Sequence, residues 1–262
     1  MKKTVGGLTV LLEGDQKKKA MIFIHGFPYD HTMWQAQIEA FSEDFYCVAY
    51  DVKGLGSSCV GDGQFTMESF VDDLEILLRE LQLESPIVCG FSMGGYIALR
   101  AIERMEEKFS ALILCDTTSK ADSNERKLER ADAIRRINAQ GLNIFTKNFV
   151  TKCYGEWYKK EHKEALKKRI AKSTSFNSIG VKGSIFAMLS RTDTTEYLSK
   201  IAMPTLLLCG EHDTLTPPSV MREMAKEIKN ATFSLISNSG HMSVIENPTE
   251  ANHTIKTFLA TF

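Results

Sequence analysis

Hydrophobic and polar positions along the chain follow a repeating beat. Continuous apolar runs appear at residues 20–25, 46–50, 86–91, 111–115 and 204–209. Each is too short to be a long helix, and each lacks the alternation of a half-exposed strand. They read as strands buried on both faces. Between them lie stretches with apolar residues at helical spacing, at 33–41, 66–83 and 92–107. Thr66 is the expected N-cap of the second of these, with Glu68 and Ser69 in its first turn. Residues 1–12, interrupted by Gly6 and Gly7, read as a strand pair that includes an edge strand at 8–12. Strands alternating with helices predict a mostly parallel sheet covered by helices on both faces, an α/β fold.

The beat stops at about residue 120 and resumes at 204. In between, the spacing predicts helices only, over 124–139, 142–153, 159–173 and 179–190. The expected organisation is a core formed by 1–119 and 198–262, interrupted by a helical insert over 120–197 above the carboxyl edge of the sheet. A helix at 219–228, a last strand at 232–237 and a closing helix at 248–262 complete the pattern.

Composition narrows the class. The chain has 262 residues, 25% of them charged, and a net charge of −1. That balance gives no electrostatic case for nucleic acid or an anionic membrane as partner. Residues 120–172 carry fifteen Lys and Arg against seven Asp and Glu. Solvated helix faces account for such a run, with steering of an acidic substrate as the sharper alternative. Six cysteines are scattered singly, four of them inside apolar runs, which fits a reducing, cytoplasmic setting better than a disulfide framework. No apolar run reaches the length of a membrane helix, and the amino terminus has no signal-peptide cleavage pattern.

The chemistry concentrates at Gly90-Phe91-Ser92-Met93-Gly94, which ends one strand and opens one helix. Glycines two residues either side of Ser92 suit a crowded bend that projects the hydroxyl and leaves the Met93 N–H at a helix start. His25-Gly26-Phe27-Pro28 ends the first buried strand, so the Phe27 N–H is the second candidate donor for an oxyanion. A serine needs a base, and of six histidines His241 directly follows the last strand in a small-residue loop. Asp213, in the Gly210-Glu211-His212-Asp213 turn, is the expected acid behind it, with Asp116 at the end of the preceding strand as rival. His31, His162 and His253 have no evident partner, and Trp34 reads as core. Leu215 and Met242, beside the two acid–base residues, and Phe145 in the insert are candidate pocket residues; Phe145, Phe149, Trp157 and Phe176 either line an acyl pocket or, as is commoner, form the insert's own small core. Neither H-E-x-x-H nor a post-strand G-x-G-x-x-G occurs, so neither metal nor organic cofactor is expected.

Five ordered motifs, at His25–Pro28, Asp51–Ser58, Gly90–Gly94, Gly210–Asp213 and Gly240-His241 with Glu246-Asn247-Pro248, resemble the α/β-hydrolase superfamily. Lys53 stands where arginine is common. The resemblance implies an eight-stranded sheet, here shortened at its amino end, a helical cap and the roles given above for Ser92, Asp213 and His241. Residues 115–141 resemble small carboxylesterases and enol-lactonases of the 3-oxoadipate type, which implies hydrolysis of a small ester or lactone. The same three residues would also serve perhydrolysis, C–C or N-acyl cleavage, and a ligand receptor could retain them. A homodimer is left open.

Overall fold

The computed structural model describes residues 1–262. Its eight strands form one sheet: β1 (Lys2–Val5), β2 (Leu8–Glu13), β3 (Ala20–Ile24), β4 (Tyr46–Tyr50), β5 (Ile87–Phe91), β6 (Ala111–Cys115), β7 (Thr205–Gly210) and β8 (Ala231–Ile236). Their spatial order is β1-β2-β4-β3-β5-β6-β7-β8. β1 and β2 join antiparallel, and every pairing from β4 to β8 is parallel. The amino end is therefore not shortened. Gly6 and Gly7, at φ of +57° and +83°, form the tight turn that lets Lys2–Val5 pair back as an edge strand.

Strands β3 to β7 are buried along their whole length, which is why their sequences are runs rather than alternations. Successive side chains still point to opposite faces. Ile22, Ile24, Val88, Leu112 and Leu114 pack on one face, with α2 (Met67–Glu80), α3 (Met93–Met105) and α9 (Pro218–Glu227). Phe23, Cys89, Phe91, Ile113 and Leu208 pack on the other, with α1 (Gln35–Phe41) and α11 (Pro248–Leu259). Trp34 is fully buried against Phe23 and Phe91. Each such side chain removed from water contributes about 1.5–3 kcal/mol. Thr66 caps α2 reciprocally with Ser69.

Five helices separate β6 from β7: α4 (Asn124–Gln140), α5 (Leu142–Cys153), α6 (Glu156–Glu161), α7 (Lys163–Thr174) and α8 (Ser178–Leu189). They pack mainly on one another, α4 against α5 and α8, α5 against α7. The single helix expected at 159–173 is two, broken at His162, whose backbone (φ −117°, ψ 40°) leaves the helical region while its ring packs on Tyr158. A four-residue helix, α10 (Ser243–Glu246), precedes α11.

The strand order fixes where a site can lie. From β3 the chain moves outward to β4, then crosses to the other side of β3 to make β5. The connections leaving β3 and β5 therefore diverge, opening a crevice at the carboxyl edge between them. Phe27 follows β3 and Ser92 follows β5.

Candidate active site

Ser92 sits on the bend between β5 and α3 with φ 51° and ψ −111°, a conformation few non-glycine residues adopt. Its neighbours hold it there. The Ser92 N–H donates to the Cys115 carbonyl (2.9 Å), and the Ser92 carbonyl accepts from Gly95 N–H (2.9 Å) and Thr117 Oγ1 (2.8 Å). The flanking glycines are required by clearance. A Cβ on Gly94 would overlap the Ile24 carbonyl, and one on Gly90 the Gly94 carbonyl. The bend thus lies tight against the end of β3.

His241 follows β8, and its ring reaches back across the sheet edge. Its Nε2 accepts from Ser92 Oγ at 3.0 Å, and its Nδ1–H donates to Asp213 Oδ2 at 2.7 Å. Asp213 is held from behind by the N–H groups of Leu215 (2.8 Å) and Thr216 (3.1 Å) and by the Thr216 hydroxyl (2.7 Å). Burial alone would raise the Asp213 carboxyl, but the facing imidazole and these donors outweigh it and hold the pKa below the ordinary carboxylate range. Asp213 is therefore the ionised partner that fixes the tautomer in which Nε2 is free to accept a proton. Thr216, whose hydroxyl also lies 3.2 Å from His241 Nδ1, was not singled out from the sequence, although an Asp-x-x-Thr turn is a recognisable signal.

Asp116 does not share this contact. At φ +47°, it turns its carboxyl to the Gly210 N–H (2.8 Å) and the Ser243 hydroxyl. Complete burial, and then the nearby Asp213 charge, push its pKa well above the carboxylate range. His31, read from sequence as unpartnered, has a partner. Its Nδ1 lies 2.5 Å from Asp51 Oδ1, and its N–H donates to the same oxygen. His25 is buried and structural, accepting the Val52 N–H on Nε2 (2.8 Å).

A cavity of about 370 Å³ opens above Ser92 and His241. Phe27, Phe145, Phe149, Ile185, Met188 and Leu215 supply its apolar wall. Met242 does not: it is fully buried in the core beneath. Trp157 is 52% exposed and lines a separate groove on the far side of His241, and Phe176 packs in the core. Arg126, Arg130, Arg136 and Lys152 also reach the cavity, facing Glu129 and Asp132. Other lysines of the helical block, such as Lys159 and Lys167, pair with glutamates one turn away on solvated faces. The N–H groups of Phe27 and Met93 have no acceptor within the protein. Met93 is the first residue of α3, where the helix leaves its N–H unpaired and its dipole favours negative charge. The site offers a hydroxyl with a base, an acid behind that base, and two unspent donors at one sheet edge, a set suited to acyl transfer.

Comparisons with known proteins bear on the fold. A 3-oxoadipate enol-lactonase from Acinetobacter baylyi is 25% identical over 249 residues, covering 95% of this chain and 91% of its own. A thermophilic esterase from Thermogutta terrifontis superposes with a TM-score of 0.92 at 31% identity, covering 99% of this chain and 97% of its own. The enol-lactonase of Burkholderia xenovorans LB400 shares the fold with a TM-score of 0.91 at 22% identity, over 99% of this chain and all of its own. The alpha/beta hydrolase fold family model matches residues 19–248, from the start of β3 to the start of α11. With the sheet order, the strained serine bend and this match in agreement, the chain belongs to the alpha/beta hydrolase fold family.

Proposed function

We propose that the protein is a serine hydrolase that cleaves a small carboxylic ester or lactone through an acyl-enzyme on Ser92. The observation that carries this reading is the unbroken hydrogen-bonded line from Ser92 Oγ through His241 to Asp213 at the floor of the cavity. Ser92 Oγ attacks the carbonyl carbon as His241 Nε2 takes its proton. The N–H groups of Met93 and Phe27 hold the oxyanion. The imidazolium, stabilised by Asp213, then protonates the leaving alkoxide. A water deprotonated by the same Nε2 attacks the acyl carbon, releasing the acid and restoring Ser92. Helices α4 to α8 act as the lid that lines the acyl pocket and excludes bulk water.

A serine at the bend, rather than a carboxylate, favours an acyl-enzyme over alkyl-ester chemistry. Arg126, Arg130 and Arg136 are already paired with Glu129, Asp122 and Asp132, so Lys152 is the one wall cation left to favour an acyl part that carries a carboxylate. The relatives named as an esterase and enol-lactonases support the ester or lactone class. The six unpaired thiols support a reducing, cytoplasmic setting. The test is a panel of aryl acetates, small lactones, amides and monoesters of dicarboxylic acids with wild type and Ser92→Ala. Esters or lactones turned over by wild type alone support the reading, and turnover retained in Ser92→Ala overturns it.

A further inference from the structure

The loop that carries His241 is held by a buried carboxylate that belongs to neither the cavity nor the acid–base line. Glu246, on α10, is 5% exposed. Its Oε1 accepts from Gly240 N–H (3.0 Å) and Met242 N–H (3.1 Å), the residues immediately before and after His241. Its Oε2 accepts from Gly155 N–H (2.9 Å), which lies in the helical block between α5 and α6. The same corner of the block makes a second link, because the His241 N–H donates to the Cys153 carbonyl (2.9 Å). The backbones meet closely here. A Cβ on Gly240 would come within 2.5 Å of the Gly155 nitrogen, so only glycine permits the approach.

Every backbone donor from 240 to 242 is therefore satisfied by Glu246 or by the block, and none by the sheet. We propose that Glu246 is a positioning residue that sets the register of His241 against Ser92 and makes that register depend on seating of the 153–155 corner of the helical block. When the corner is docked, one carboxylate locks the loop from both sides and ties it to the block. When the corner lifts, His241 loses its Cys153 acceptor and Glu246 loses its third donor. Burial pushes the Glu246 pKa up, and the three N–H donors oppose that push, as expected of a buried carboxylate kept for its hydrogen bonds. The base is thus aligned only in molecules whose lid is closed. This inference deepens the acyl-enzyme reading and rests on it for its kinetic arm.

The test compares wild type with Glu246→Gln and, as a shorter carboxylate that retains the charge, Glu246→Asp. The amide presents an NH2 group to a donor on one side or the other, and the aspartate cannot span both the loop and Gly155. For an ester turned over by wild type, kcat should fall about 10- to 100-fold in Glu246→Gln and less in Glu246→Asp, with KM changed by no more than about twofold. Amide hydrogen exchange in the resting proteins should quicken together at 153–157 and 239–243 and stay unchanged in β3 to β7. Wild-type kcat in both variants, a loss confined to KM, or unchanged exchange at the corner would overturn the proposal. Exchange does not require turnover. If wild type cleaved no ester, the hydrolase reading would fall, and the exchange arm would still decide whether Glu246 is the clamp.

Discussion

At the scale of single residues, two buried aspartates lie close together and do opposite things. Asp213 faces an imidazole and three donors, so its charge is compensated; Asp116 faces one N–H and one hydroxyl, with Asp213 beside it, so its charge is not. The acid role proposed for Asp213 rests on these partners. Asp213→Asn should lower kcat/KM for an ester by on the order of 10³-fold or more, because an amide presents the wrong group to Nδ1–H. Asp116→Asn should stay within about tenfold of wild type, since an amide can still serve Gly210 and Ser243. Parallel kinetics of the two variants check the pair, and equal losses would contradict the assignment. Sequence spacing put Asp213 ahead because its turn projects the side chain from a strand end. It could not find the partner of His31, because Asp51 lies twenty residues away, just past the end of β4, and meets it only in the fold. Nor could it tell that Met242, adjacent to His241, faces the core.

At the scale of elements, strands were legible and helix breaks were not. Apolar runs such as Leu206–Leu208 admit one reading when a sheet is covered on both faces, and they lie where that reading puts them. The break at His162 has no local signal. The residues around it favour helix, and at the turn the Tyr158 ring packs on both Tyr154 and His162, a contact visible only in the fold. The insert's cavity-facing and solvent-facing arginines also share one charge pattern, so only the fold sorts Arg130 from Arg135. Helix α2 carries a liability of its own. Asp73 is buried with Oδ2 unpartnered, and burial raises its pKa to about 6, against the pull of Lys53. Its folded pKa exceeds its unfolded one, so the contribution of this one group to stability is highest below about pH 4 and falls as pH rises through 6. Asp73→Asn should therefore stabilise the protein by about 1–3 kcal/mol at pH 8 and by almost nothing at pH 4. Thermal unfolding at the two pH values reads this directly, and an equal gain at both would contradict it.

At the scale of the molecule, the helical block is fastened to the rest of the chain at several places, among them Lys172 on Asp30, and two of these lie beside the site. One is the corner at His241. The other is the root of the insert, where Asp122 at the entry pairs with Arg191 at the exit and with Arg130 of α4. Arg191 also lies 4.1 Å over the Tyr96 ring, one turn along α3 from Ser92. Arg130 and Tyr96 both line the cavity, so this root shapes the pocket as well as holding the helical block. Asp122→Ala leaves Arg191 buried without its partner and should cost about 3–5 kcal/mol, with KM rising more than kcat falls. Denaturant unfolding and steady-state kinetics check both parts, and a variant of wild-type stability would contradict the first.

All of this supports one chemical event at the bend after β5, an attack by the Ser92 hydroxyl on an acyl-type electrophile. The most direct measurement is mass spectrometry of the native protein after exposure to a fluorophosphonate, with Ser92→Ala and His241→Ala alongside. The account predicts a single adduct, mapped to the peptide containing Ser92, formed rapidly in wild type, slowly in His241→Ala and not at all in Ser92→Ala. An unlabelled wild-type protein, or an adduct on another residue that survives in Ser92→Ala, would contradict it.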